Sequence, residues 1–146
     1  MKQLFLCSYF LGVKNLFKQY AAKRDLGGHV FFIPTAGNVE EYRDYIEEAK
    51  TLFEELGFEV EVFDIAASGQ ETAQAKIFQT KLLYVSGGNS FYLLQEIKKK
   101  HLLSLIREQI ADSMVYVGEF AGAVLAAQNI DYSRLMDDPT AGGRFI

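Results

Sequence analysis

The chain has 146 residues, a formal net charge of −4 and a hydrophobic fraction of 49%. This length predicts one domain, 1–146, that buries roughly two-thirds of the surface of the unfolded chain. The negative charge argues against a general nucleic-acid binder, and no apolar run reaches the ~18 residues of a membrane span. The single cysteine, Cys7, excludes an internal disulfide and favours a cytoplasmic protein.

Strand and helix patterns alternate along the whole chain. Short apolar runs predict strands at Leu4–Ser8, at Val30–Ile33, around Val60 and Val62, at Leu82–Val85 and at Met114–Val117. Apolar residues at helical spacing predict helices at Val13–Lys23, after Asn38, at Glu71–Gln79, at Phe91–Lys99, at Leu102–Ile110 and at Ala123–Gln128. The helix after Asn38 has the clearest pattern, because Asn38 and Glu41 form a capping-box-like start and an apolar stripe then runs from Tyr42 to Leu56.

This alternation predicts an α/β fold: three layers, with a mostly parallel sheet and helices on both faces. Such sheets bind ligands at the carboxyl ends of their strands. The site is therefore predicted at four loops rich in Gly, Ser, Thr or Asn, which are Ser8–Gly12, Pro34–Asn38, Ser86–Asn89 and Gly118–Gly122. Within these loops, candidate cleft residues are Thr35, Gly87, Asn89, Ser90 and Glu119. The side chain of Glu119 could face either the cleft or solvent.

The segment Gly118–Gly122 is the most informative in the chain. It has the pattern G-x-x-x-G, and it follows an apolar strand and precedes a helical run of small residues. This is the arrangement of a nucleophile elbow, which holds a Ser or Cys at the tip of a tight turn. The central residue here is Phe120. A phenyl ring cannot attack a carbonyl, so the pattern of an enzyme occurs without its reactive atom.

Four segments together resemble the dipeptidase E (α-aspartyl dipeptidase) family of serine peptidases, whose fold is similar to that of class I glutamine amidotransferases. They are Phe32–Ala36, Glu40–Tyr42, Val85–Leu94 with its G-G-N-S-F-Y-L-L run, and Tyr116–Ala123. The resemblance extends from Met1 to about Asp138.

The resemblance implies a role for several positions. The nucleophilic serine of the family falls on Phe120, and the backbone N–H groups of its oxyanion hole fall on Gly88 and Ala121. Candidates for the acidic partner are Asp137 or Asp138. The catalytic histidine of the family lies further on, in a region that this chain does not have, and neither histidine of this chain matches it. Relatives are accordingly expected to be longer.

Three functions remain open at this point. The first is a homologue of a serine-type dipeptidase that cleaves small Asp-Xaa-like peptides, inactive by that mechanism. The second is a pseudoenzyme that binds a small ligand or a protein partner at the old cleft. The third is a flavodoxin-like module that holds a phosphate at Ser86–Ser90, which the absent G-x-G-x-x-G and P-loop lysine disfavour.

Partners and cofactors follow from the same reasoning. No cluster of His, Cys and Asp has metal-ligand spacing, so neither a metal nor another cofactor is expected. A small peptide or small molecule is the expected ligand, without nucleic acid or membrane. We also expect a two-fold homodimer, because a missing C-terminal segment would leave a sheet edge and an apolar patch open.

Overall fold

The computed structural model describes residues 3–127, and its sheet confirms the predicted α/β fold. Five strands pair in the order β1-β5-β4-β2-β3, and every pairing is parallel. The strands are β1 (Gln3–Cys7), β2 (His29–Ile33), β3 (Glu59–Val62), β4 (Leu82–Val85) and β5 (Val115–Glu119).

The helices divide between the two faces of the sheet. They are α1 (Lys14–Ala22), α2 (Asp44–Glu55), α3 (Gln70–Gln79), α4 (Ser90–Lys99), α5 (Leu103–Asp112) and α6 (Ala121–Ala126). Helices α1 and α2 pack in a core rich in aromatic residues, whereas α3 to α6 pack in a mainly aliphatic core on the other face. The three predicted layers are therefore present.

The central strands explain why apolar runs were a reliable signal. Every residue of β4 and of β5 is buried, because each strand has a neighbour on both sides and helices on both faces. Such strands need apolar side chains throughout rather than at alternate positions. The edge strand β3 has the sequence EVEV and is only partly buried.

The predicted start of the second helix is wrong. Thr35–Val39 forms a 3₁₀ helix, Glu40 has extended backbone angles, and α2 begins only at Asp44. Asn38 does not cap a helix, because its side-chain amide donates hydrogen bonds to both carboxylate oxygens of Asp64, at 3.1 and 3.0 Å. Tyr42, predicted within the buried stripe, is instead exposed.

The position of β5 brings three loops together. Its last residues pair with the ends of both neighbours: Glu119 with Cys7 of β1, and Gly118 with Val85 of β4. The loops that follow β1, β4 and β5 therefore leave the sheet side by side. This is the edge at which the sequence predicted the site.

Candidate functional site

A cavity of about 370 Å³ opens at the carboxyl ends of the strands. Its lining residues come from the loops after β1, β4 and β5 and from the segment that leads into α2. They are Ser8, Tyr9, Glu40, Tyr42, Tyr45, Gly87, Gly88, Glu119 and Phe120. The cavity lies at the edge of the sheet where the sequence predicts the site, and it is therefore the candidate site.

Phe120 stands at the sharp turn between β5 and α6, as predicted. Its backbone angles are φ 47° and ψ −101°, a conformation that a residue with a Cβ rarely adopts. The N–H of Phe120 donates to Cys7 O at 2.8 Å, and its carbonyl accepts from Val124 N at 2.9 Å. The ring is 60% exposed, so the tip of the turn is held through its backbone.

The two glycines of the turn permit its close packing. A Cβ on Gly118 would lie 2.7 Å from the carbonyl carbon of Gly122, and a Cβ on Gly122 would overlap the carbonyl oxygen of Val85. The buried hydroxyl of Tyr116 donates a hydrogen bond to Gly122 O at 2.6 Å. The turn is therefore packed backbone against backbone on the end of β4.

The carboxyl group of Glu119 is the buried anchor of this site. It is 1% exposed, although it borders the cavity, so the solvent-facing alternative is wrong. Its Oε2 accepts from Phe10 N at 2.8 Å, and its Oε1 accepts from the hydroxyl of Tyr84. Burial raises the pKa of Glu119, although both hydrogen bonds act in the opposite direction. One side chain thus joins the ends of β1, β4 and β5.

The Gly87-Gly88 loop lies directly against the turn. A Cβ on Gly87 would be 3.2 Å from the Cβ of Phe120. Gly88 has φ +135°, and a Cβ there would overlap the carbonyl of Ala36. Within residues 3–127, the N–H groups of Gly88 and of Ala121, the first residue of α6, have no backbone acceptor.

The other predicted cleft residues do not line this cavity. Thr35 is buried, donates its hydroxyl proton to Asp64 Oδ1 at 3.0 Å and accepts from Ile65 N at 2.9 Å. Asn89 caps α4 by accepting from Tyr92 N at 2.9 Å, and Ser90 is the first residue of that helix. Thr35 and Asn89 therefore hold the backbone of neighbouring loops.

The histidines lie elsewhere in the fold. His29 Nε2 is 3.0 Å from Glu61 Oε1, across the pairing of β2 with β3. His101 stands between α4 and α5 with φ 54°. Neither residue lines the cavity. The candidate acids Asp137 and Asp138 lie outside the described residues, and the expected homodimer stays a prediction.

Sequence reasoning did not single out the aromatic and acidic residues of the cavity wall, which are Tyr9, Glu40, Tyr42 and Tyr45, although the predicted loop Ser8–Gly12 contains Tyr9. The sequence pattern places Tyr42 and Tyr45 in the buried stripe of a helix. The hydroxyl of Tyr9 donates to Glu48 Oε2 at 2.8 Å, and this hydrogen bond raises the pKa of Tyr9. The signal available in the sequence was the density of tyrosine and glutamate directly after a predicted ligand-binding loop.

Two kinds of feature do not occur in the described part of the chain. Among residues 3–127, no group of three or more His, Cys, Asp or Glu side chains is arranged to hold a metal ion. In the same range, no helix combines the length and apolar character needed to cross a membrane.

Comparison with known proteins gives a consistent result. A model of peptidase family S51 matches residues 7–143. The chain is 44% identical to an uncharacterized peptidase of Listeria monocytogenes, over 94% of this chain and 66% of that protein. It is 29% identical to a peptidase E of a Nostoc species, over 92% of this chain and 57% of that protein.

A solved structure gives the same relationship in three dimensions. The crystal structure of a putative peptidase E protein from Listeria monocytogenes matches with a TM-score of 0.85 and 43% identity, over 95% of this chain and 68% of that one. The chain spans 66% of the length of three curated relatives that it matches.

Proposed function

The chain belongs to peptidase family S51, and from this premise we propose that it is a homologue of serine-type dipeptidases for small Asp-Xaa-like peptides that does not hydrolyse them by a serine mechanism. The observation that carries this proposal is the side chain at the tip of the turn. Phe120 occupies the position at which a nucleophile elbow presents its hydroxyl or thiol. Its ring has no atom that can form an acyl intermediate.

Neighbouring groups do not replace the missing nucleophile. The hydroxyl of Ser86 is buried and donates to Gly87 O at 2.9 Å. Ser113 ends α5 next to the amino end of β5, at the opposite edge of the sheet. Burial, with a smaller contribution from Glu119, raises the pKa of Cys7 to about 12, so its sulfur stays a protonated and weakly nucleophilic thiol at neutral pH.

A hydroxyl in the cavity would also need a base. Ser8 lines the cavity, but within the described residues no imidazole does, because His29 and His101 lie elsewhere. A serine hydroxyl without a neighbouring base stays protonated and reacts slowly with an acyl carbon. Within the described residues, the hydroxyl of Ser8 therefore lacks the base that a serine nucleophile needs.

The backbone of the cleft is nevertheless suited to an acyl group. The N–H groups of Gly88 and Ala121 lack backbone acceptors, and Gly87 brings the first of these loops against Phe120. Two such donors are the usual composition of an oxyanion hole. We propose that the binding part of the peptidase site remains while its covalent chemistry does not.

The test is hydrolysis of Asp-Leu by the full chain, together with labelling by a fluorophosphonate. We expect neither turnover nor labelling. Phe120→Ser should restore a hydroxyl but gain little activity, because loss of the base alone costs a serine protease about 10⁶-fold in kcat. The matched control is Phe78→Ser, since Phe78 is equally exposed but lies on α3, away from the cavity.

The proposal would be overturned if the unmodified chain hydrolysed Asp-Leu and this activity co-purified with the protein. In that case Ser8→Ala and Glu119→Gln would locate the reactive group, since both residues line the cavity. Labelling of the unmodified chain that Ser8→Ala abolishes would identify Ser8 as an unexpected nucleophile.

A further inference from the structure

The carboxylate of Asp64, in the loop after β3, binds the segment that follows β2. This segment is the 3₁₀ helix Thr35–Val39. The hydroxyl of Thr35 donates to Asp64 Oδ1 at 3.0 Å, and the amide of Asn38 donates to Oδ1 at 3.1 Å and to Oδ2 at 3.0 Å. Because hydrogen bonds to a carboxylate are stronger than those between neutral groups, this one side chain holds the 3₁₀ helix near both of its ends.

The side chain of Asp64 is in turn fixed by its own loop. Its Oδ1 accepts from Ala66 N at 3.0 Å, and its main-chain oxygen accepts from the hydroxyl of Ser68 at 2.7 Å. The next residue, Ile65, is fully buried, and its N–H donates to Thr35 Oγ1 at 2.9 Å. Asp64 therefore presents its oxygens to the 3₁₀ helix from a position that its own loop determines.

The 3₁₀ helix supports the Gly87-Gly88 loop directly. The carbonyl oxygen of Ala36 accepts from Asn89 N at 2.8 Å. A Cβ on Gly88 would overlap the same carbonyl and would lie 2.6 Å from Gly37 N. Because the two segments are packed backbone against backbone, a displacement of the 3₁₀ helix must also displace Gly88.

Asp64 does not itself line the cavity, whereas Gly87, Gly88 and Glu40 do. Glu40 follows the 3₁₀ helix and donates its N–H to Gly37 O at 3.1 Å. Both of these parts of the cavity wall are therefore attached to the segment that Asp64 holds. Any effect of Asp64 on a ligand in the cavity acts through this segment.

We propose that Asp64 is a positioning residue of the ligand site, which fixes the N–H of Gly88 for a hydrogen bond to the carbonyl oxygen of a bound peptide. This inference rests on the proposed function, which assigns that N–H to an oxyanion hole. A donor that is already in place loses little free energy to reorganisation when the ligand binds. Loss of the Asp64 carboxylate therefore weakens peptide binding although no direct contact with the ligand is lost.

The first measurement needs no ligand. In the NMR spectrum of the ¹⁵N-labelled full chain, the amide proton of Asn89 reports its hydrogen bond to Ala36 O, since such a proton moves upfield when the bond lengthens. Asp64→Ala should move this resonance upfield. Asp64→Asn should leave it near its original position, because asparagine keeps an oxygen for Thr35 and Ala66.

The second measurement is calorimetric titration of the same variants with Asp-Leu. Asp64→Ala should bind Asp-Leu about tenfold more weakly than the unmodified chain, and Asp64→Asn should stay within about threefold of it. The amide proton of Gly88 should move downfield when Asp-Leu binds to the unmodified chain. The same shift should be smaller in Asp64→Ala.

Two further variants separate positioning from a general loss of stability. Ser68→Ala is the matched control, because it removes a hydrogen bond from the same loop and keeps the carboxylate of Asp64. It should leave both the Asn89 resonance and the affinity for Asp-Leu unchanged. Asn38→Ala is a milder test in case Asp64→Ala does not fold, since it removes the hydrogen bonds of one donor and should move the Asn89 resonance in the same direction. Circular dichroism of every variant verifies the fold.

The inference is wrong if Asp64→Ala and Asn38→Ala leave the Asn89 resonance in place, if Ser68→Ala moves it equally, or if Asp64→Ala binds Asp-Leu as tightly as the unmodified chain. Failure of the proposed function is distinguishable from these results. Hydrolysis of Asp-Leu by the unmodified chain would overturn only its inactivity. Absence of Asp-Leu binding would overturn the retained peptide site, and the Asn89 resonance would then decide by itself whether Asp64 holds the loop.

Discussion

The turn at the end of β5 has an interior and a tip that are held in different ways. The interior, formed by Gly118, Glu119 and Gly122, is buried and fixed by backbone packing and by the hydrogen bonds of one carboxyl group. The tip, Phe120, projects an exposed ring and is held through its N–H and its carbonyl. The geometry of such a turn therefore depends on its neighbours, and the residue at the tip can change without loss of the turn.

Gly122→Ala should give the largest effect, because the interior admits no Cβ next to the carbonyl of Val85. The backbone of the turn or of β4 would have to move, at a cost of about 3 kcal/mol or more in the free energy of unfolding. Urea denaturation measures the change. Gly69→Ala is the control, since nothing lies near its Cβ position, and its effect should stay within about 0.5 kcal/mol.

Glu119→Leu should give the next largest effect. It leaves Phe10 N and the hydroxyl of Tyr84 buried without an acceptor, which costs about 2–4 kcal/mol. A double-mutant cycle with Tyr84→Phe sharpens the test, because removing both partners should cost less than the sum of the single changes. Additive losses would mean that the carboxyl group stabilises the turn in some other way.

Phe120→Gly should increase stability. The positive φ of Phe120 costs about 1–3 kcal/mol for a residue with a Cβ, and glycine adopts it freely, at the cost of a more flexible unfolded chain. The net gain should be about 1 kcal/mol in thermal or urea unfolding. Phe120→Ala keeps the Cβ and should show no such gain, so equal stabilisation by both variants would contradict the assignment of strain.

The pH dependence of stability should show the smallest effect. Because burial raises the pKa of Glu119 above its ordinary value of 4.5, the folded state holds its proton more tightly than the unfolded state. The contribution of Glu119 to the free energy of unfolding is therefore complete below pH 4.5, and it is lost as the pH rises through the pKa of the folded state. Glu119→Gln should therefore remove a fall in stability with rising pH.

Glu61 provides the opposite case for the same measurement. Its hydrogen bond to Lys76 lowers the pKa of Glu61, so its contribution is present above pH 4.5 and is lost as the pH falls. Glu61→Gln should flatten the acid side of the profile and leave the alkaline side as it was. An identical change of slope in both variants would contradict these assignments.

The sequence predicted most reliably the strands that are buried on all sides. Strands β4 and β5 are buried on all sides, so the apolar runs Leu82–Val85 and Met114–Val117 marked them within two residues of their observed bounds. The turn at Phe120 was likewise predictable, since the spacing of its glycines is visible in the sequence and Gly118 packs directly on Gly122 within the same turn.

Features that depend on distant partners were not predictable in this way. Asn38 satisfied a local capping rule but binds Asp64, which is 26 residues away. The burial of Glu119 could not be predicted from its own segment, because its hydrogen-bond partners lie elsewhere in the chain. Phe10 is in the loop after β1, and Tyr84 is in β4. The tyrosines of the cavity wall matched a helical stripe, and only the late start of α2 turns Tyr42 outward.

The hydrogen bonds of the Glu119 carboxyl group also have a consequence for the order in which the chain folds. Its hydrogen bond to Phe10 joins residues 109 positions apart, and the β1–β5 pairing spans a similar length of chain. Contacts of such long range form late and slow the folding of a domain. A nascent or partly folded chain can thus complete β2, β3 and β4 before the walls of the cavity meet. The cavity is therefore expected to close only with the last step of folding.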